Sequence, residues 1–230
     1  MSDISWCGRK RSFLNVDDED DTGTNKKINS NNTTTTTTTN NNNPSIYSIG
    51  TNVYFYTSIT VATSILFQKE INKVYKSIVD TCDIAKTNGY DIVFPPIVIH
   101  LFSPGGVIFA SFAMIDYLRQ LKKKDPRVII HTIIEGRAAS AATLVSVTAD
   151  KRLITEYGYM LIHQLTSASW GKYNELKDDM ENCDVLMERI KSIYKNHTKI
   201  PLEEMDKILS HDLYWDANKC LAMGLVDEII

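Results

Sequence analysis

Ser140 sits among small residues in Glu135-Gly136-Arg137-Ala138-Ala139-Ser140-Ala141-Ala142, directly after the apolar run Val128-Ile129-Ile130-His131-Thr132-Ile133-Ile134. A hydroxyl presented at such a strand-to-helix turn can act as a nucleophile, provided that an imidazole takes its proton and a carboxylate holds that imidazole in the right tautomer. Tyr159-Met160-Leu161-Ile162-His163-Gln164 supplies a histidine at the end of a second apolar run, and Ser210-His211-Asp212-Leu213-Tyr214 supplies a late aspartate. Acyl transfer also needs backbone N–H donors aimed at the developing oxyanion, and glycines suit this because no Cβ blocks approach. Gly105-Gly106 in Ser103-Pro104-Gly105-Gly106 meets that need. Taken singly, each piece has an ordinary reading: a tight Pro-Gly-Gly turn, a core histidine, a helix-terminal acid.

The elements that must position these residues are legible as patterns. From Ile46 onward, short apolar runs alternate with helical periodicity, which predicts an α/β fold. Asn52 to Tyr56 reads as a strand, and Val61, Ile65, Leu66, Ile71, Val74, Tyr75 and Ile78 recur at helical spacing behind it. Ile97-Val98-Ile99-His100-Leu101-Phe102 is almost wholly apolar, as expected of a strand covered on both faces. Val107, Ile108, Phe112, Ile115, Leu118 and Leu121 mark a helix closed by Lys122-Lys123-Lys124, whose charges complement the carboxyl end of the helix dipole. Ala138 to Val147 has the composition of a tightly packed helix. Leu153-Ile154 and Met160-Leu161-Ile162 predict two short strands. Tyr173 to Asn196 predicts a long amphipathic helix with Leu176, Met180, Cys183, Met187, Ile190 and Tyr194 on one face. Pro201 falls where the next helix, Leu202 to Leu209, would begin.

Residues 1–45 are of a different kind: Arg9-Lys10-Arg11, an acidic run from Asp17 to Asp21, and an Asn/Thr tract containing seven consecutive threonines, Thr33 to Thr39. So polar a stretch buries too little apolar surface to offset the entropy of ordering it, which predicts a disordered, low-complexity tail ahead of a folded domain over 46–230. The formal net charge of -3 over 230 residues carries no electrostatic footprint for nucleic acid or an anionic membrane. Cys7, Cys82, Cys183 and Cys220 show no metal-ligand spacing, and neither an apolar signal segment nor a membrane-length run is present. The expectation is a soluble, cytoplasmic protein with reduced thiols, no metal and no cofactor.

In order and spacing, these pieces resemble the proteolytic subunit of the Clp protease, the ClpP family, from Ile46 to Ile230. Ser103-Pro104-Gly105-Gly106-Val107 is similar to that family's SPGG turn, and Gly136-Arg137-Ala138-Ala139-Ser140 to its GxAAS nucleophile segment. Leu161-Ile162-His163-Gln164 resembles its MIHQ segment, and His211-Asp212-Leu213-Tyr214 its RDxF-like setting for the triad acid. Ala222-Met223-Gly224-Leu225-Val226-Asp227 is similar to its terminal YGLVD.

The resemblance implies a ClpP/crotonase-like repeated βαβ spiral with a protruding handle helix, the helix from Tyr173. It implies Ser140 as nucleophile, His163 as general base and then acid, Asp212 as orienting carboxylate, and Gly106 and Ala141 as oxyanion-hole donors. An extended peptide would align by main-chain pairing along Gly105, Gly106 and Val107. The implied partners are further copies of the chain in stacked rings, a tetradecamer, with an AAA+ unfoldase ATPase and unfolded polypeptides as substrate. Departures are Leu165 where the family prefers proline, Glu135 in place of an apolar residue, and Trp215-Asp216-Ala217 after the acid. The Thr81 to Pro96 connection is longer than the family's, and Ile46 to Tyr56 shorter. Other readings are a catalytically silent ring subunit, a crotonase-type acyl-CoA enzyme in which Gly105-Gly106 polarises a thioester carbonyl, and a Ser-Lys peptidase with Lys151 as base.

Overall fold

Alternation of buried and half-buried residues, more than helix or strand propensity, organises this chain. The computed structural model describes residues 45–230, so the expected tail over 1–45 lies almost wholly outside the described residues. Ile46–Ile49 (β1) and Asn52–Phe55 (β2) form an antiparallel hairpin whose two-residue turn sets Gly50 at φ 57°, a backbone state that glycine adopts without strain. The sequence reading assigned only the second of these strands.

Val61–Thr87 (α1) opens with a capping box: Thr60 Oγ1 accepts the Thr63 N–H at 3.1 Å, and Thr63 Oγ1 accepts the Thr60 N–H at 2.7 Å. The helix buries Phe67, Ile71, Val74 and Ile78 on one stripe and runs on to Thr87, so much of the long connection expected after Thr81 is helical. Ile97–Ser103 (β3), Ile108–Lys124 (α2), Ile130–Ala139 (β4), Ala141–Val147 (α3) and Lys151–Ile154 (β5) complete three successive strand-helix units. Tyr159–Leu161 (β6), Tyr173–His197 (α4), Leu202–Leu209 (α5), Tyr214–Asp216 (β7), Ala217–Ala222 (α6) and Glu228–Ile229 (β8) follow.

The strands form one sheet in the order β1-β2-β3-β4-β5-β8, parallel from β2 onward. β4 is long enough to serve two partners on one side. Its first half pairs β5, and its last residues pair β6 through Arg137↔Tyr159, Ala138↔Met160 and Ala139↔Leu161. β7 adds to β6 in antiparallel register. The repeated parallel βαβ spiral inferred from the sequence is thus present.

Two expectations need correcting. β3 is not covered on both faces: Ile97, Ile99 and Leu101 are buried, whereas Phe102 is 46% exposed. From β2 to β5 each crossover steps in the same direction along the sheet. With right-handed connections that places α1, α2 and α3 on one face and leaves the other half open. The serine-bearing helix does not start at Ala138 either. Pairing with β6 holds Ala138 and Ala139 in β4, so the turn falls on Ser140.

The core gathers under α1, α2 and α3, with Phe55, Phe67, Ile99, Met114, Leu144 and Val145 fully enclosed. α4 joins it only through its second half. Leu186, Ile190 and Tyr194 are buried, but Met180 and Val185 are 64% and 69% exposed, so the amino-terminal half stands clear as the handle expected of this fold. Tyr194 is enclosed, and its O–H donates to Thr143 Oγ1 at 2.7 Å, while the Thr143 hydroxyl donates to Ser140 O at 2.6 Å. Tyr194→Phe leaves the Thr143 oxygen without its buried donor and should cost about 1–2 kcal/mol in urea unfolding. An unchanged midpoint would show that the chain from α4 to Ser140 carries no stability.

Candidate functional site

Ser140 lies at the carboxyl end of β4 with φ 59° and ψ −131°, and it is the one non-glycine residue with positive φ among the described residues. Such a conformation costs about 1–3 kcal/mol and persists only where the surroundings dictate it. Here they do: the Ser140 N–H donates to Leu161 O at 2.7 Å, continuing the β4–β6 ladder, and the chain turns at once into α3. The strain is the cost of a tight strand-to-helix turn that leaves the side chain at the sheet end.

The same ladder places the histidine. Ala139 pairs with Leu161, so Ser140 and His163 both lie just beyond the carboxyl ends of adjacent parallel strands. Gln164 N–H donates to Leu209 O at 2.7 Å, which draws the end of α5 and the loop after it against the histidine segment. That loop carries Asp212, whose Oδ1 is 2.8 Å from His163 Nδ1. The two partners sit in different surroundings, the His163 side chain 4% exposed and that of Asp212 65%.

Burial pushes the His163 imidazole below its ordinary value, and the hydrogen bond and charge of Asp212 pull the other way without reversing the direction. A depressed value keeps the ring neutral, and able to accept a proton, further into acid. For a reaction using His163 as base, the acid limb of kcat/KM should therefore fall below the ordinary histidine pKa of about 6.5. A pH–rate profile whose acid limb lies above that value would contradict the assignment.

The glycine turn packs directly on the serine. A Cβ at Gly105 would lie 2.7 Å from Ser140 Cβ and 2.5 Å from Ala139 O, so only glycine permits this approach. A Cβ at Gly106, where φ is 147°, would fall 2.1 Å from Ile59 O. Ile59 pins the turn from the far side: its N–H donates to Gly105 O at 2.8 Å, and its carbonyl accepts from Val107 N–H at 2.9 Å. Ala141, the first residue of α3, contributes an N–H for which a helix has no internal acceptor.

Ser140, His163, Asp212, Gly105, Gly106 and Ala141, each proposed from sequence, thus meet at one end of the sheet. Val107 is different. Its N–H is committed to Ile59 O and its carbonyl accepts from Ser111 N–H at 3.1 Å, because α2 begins at Ile108. It is an extended helix cap next to the Ile59–Gly106 bridge, and its own N–H is taken by that bridge. Ile59 and Thr143 were missed from the sequence, where one is an ordinary apolar residue and the other an ordinary helix residue. Lys151 pairs with Glu228 at 2.7 Å and stands opposite His131 at the start of β5, far back along β4 from Ser140, so the structure does not bring it to the serine.

Among the described residues, no group of three or more His, Cys, Asp and Glu side chains is arranged to hold a metal ion, and no helix is long and apolar enough to cross a membrane. A family model described as Clp protease matches residues 52–230.

Proposed function

The chain belongs to the Clp protease family, and on that premise we propose that it is a serine endopeptidase subunit that hydrolyses peptide bonds of unfolded polypeptides through Ser140, His163 and Asp212. The observation that carries this reading is a strained Ser140 at the end of β4 beside the end of β6, which leads to a buried His163 bonded to the Asp212 carboxylate. Ser140 Oγ attacks the scissile carbonyl carbon while its proton passes to His163. The tetrahedral oxyanion is met by the N–H groups of Gly106 and Ala141. His163 then protonates the departing amine, leaving an acyl ester on Ser140. Water, deprotonated by His163, attacks that ester, and the proton returns to Ser140 as the acid product leaves.

Asp212 holds the His163 N–H toward itself, so the opposite ring nitrogen carries the lone pair. An extended substrate would align by main-chain pairing along the segment Gly105 to Val107. Contact through backbone alone implies low sequence selectivity. The exposed apolar side chains on the free half of α4, Met180 and Val185 with Tyr173, support assembly of further copies into stacked rings, taken to be a tetradecamer. An AAA+ unfoldase would then feed the enclosed sites.

A fluorophosphonate probe tests the chemistry, and light scattering on the same preparation tests the assembly. The expected result is one phosphonyl adduct on Ser140 in a particle many times the mass of the chain. An assembled particle with no adduct would favour a silent ring subunit, and an adduct on another serine would end the assignment.

A further inference from the structure

β2 and β4 do not touch: β3 lies between them. On the half-open face of the sheet, one set of side chains nevertheless joins the outer two across it. The Tyr56 O–H, just beyond β2, donates to Glu135 Oε2 on β4. Glu135 Oε1 lies 2.8 Å from His100 Nδ1 on β3, and His100 Nε2 lies 3.0 Å from Asn52 Oδ1 on β2. Asn52 is oriented in turn by donating from Nδ2 to Ile49 O at 3.4 Å. Aromatic rings brace the set: Tyr54 stacks on His100 with centroids 4.4 Å apart, and Tyr56 meets Phe102 edge-on at 6.1 Å.

The position of this set in the backbone gives it meaning. Glu135 immediately precedes Gly136, at φ 69°, and here the β3–β4 register slips between Leu101 and Ser103. A bulge forfeits ladder hydrogen bonds, so the backbone link between β3 and β4 is weakest just before Ser140. Tyr56 stands just before Ile59, the residue that pins Gly105 and Val107. The Tyr56–Glu135 bond therefore ties the segment that fixes the glycine turn to the strand that presents the serine, bypassing the bulge. Packing alone would be served as well by apolar residues at 100 and 135, since partly buried charges are costly to desolvate. Hydrogen bonds to a carboxylate, by contrast, are short and directional.

We propose that Tyr56, Glu135 and His100 form a strap across β3 that sets the separation of the Gly106 and Ser140 backbones, and so act as positioning residues for oxyanion binding. The inference rests on the peptidase reading above for its catalytic consequence, but the strap itself is a claim about backbone order.

Tyr56→Phe removes one hydroxyl and keeps the ring. The expected result is a kcat lower by about tenfold to thirtyfold with KM within about twofold, since displaced oxyanion donors weaken the transition state and not the bound substrate. Affinity for a peptide boronic acid, which forms a tetrahedral adduct with the serine, should fall by the same factor. Glu135→Gln should weaken kcat in the same direction, and the double variant should be little worse than the poorer single one, because both break one tie. Amide hydrogen exchange in Tyr56→Phe should accelerate at Gly105 to Val107 and at Gly136 to Ala141 together, with β5 unchanged. A raised KM at unchanged kcat, or exchange unchanged in both segments, overturns the strap. The exchange result decides even for a protein that the fluorophosphonate does not label, an outcome that would defeat the peptidase reading separately.

Discussion

Ser140→Ala should lower kcat for a fluorogenic peptide by about 10⁵- to 10⁶-fold while leaving thermal stability within a few degrees of the parent. The reasoning has two parts. Alanine lacks the attacking oxygen, and what remains is the far smaller contribution of oxyanion donors and substrate binding. Alanine does keep Cβ, and with it the contact between residue 140 and the Gly105 backbone and the strained φ of 59° that the β4–β6 ladder imposes. Loss of activity would thus be chemical and not a failure to fold. A companion variant isolates the strain. Ser140→Gly lacks the hydroxyl equally but relaxes the positive φ, so it should be about 1–2 kcal/mol more stable than Ser140→Ala and just as inactive. Activity of Ser140→Ala within a hundredfold of the parent would remove Ser140 from the reaction.

Asp212→Asn is the second large effect, expected at about 10⁴-fold in kcat. In the parent, the carboxylate can only accept, so His163 Nδ1, 2.8 Å away, must carry the hydrogen and the other nitrogen is left basic. An amide can instead turn its NH₂ toward Nδ1, which stabilises the tautomer with its hydrogen facing the serine. Folding should be little affected, because the Asp212 side chain is 65% exposed and an amide can still hydrogen-bond the neutral His163 ring. The pairing of a severe kinetic defect with an intact melting curve separates an orienting carboxylate from a structural one. A kcat within tenfold of the parent would mean that His163 is oriented by other contacts.

Much of this geometry was legible from residue type and spacing, and the parts that were not have physical reasons. Ser140 and His163 each terminate an apolar run, and a parallel strand under a layer of helices writes such runs plainly. The Pro-Gly-Gly turn is equally plain, since Gly105 and Gly106 occupy positions where a Cβ would collide with backbone. Asp212 has no periodic signature: it lies in a loop, and its approach to His163 depends on the Gln164–Leu209 bond between distant segments. Ala138 and Ala139 favour helix by local preference, and the register with β6 overrides it. β7 and β8 are too short for alternation to be read. The open face of the sheet follows from the direction of successive crossovers, which composition does not encode. Glu135 stood out from sequence only as a departure from a pattern, and its partners Tyr56 and His100 became visible only once β2, β3 and β4 were laid side by side.

α4 has 25 residues and so extends for about 37 Å, but only its second half is gripped by the body. Tyr194, within the gripped half, reaches Ser140 O through one threonine hydroxyl. The helix is mechanically a lever whose free and loaded arms are of about equal length. A load on the outer arm would reach the peptide unit of Ser140 through that pair of hydrogen bonds.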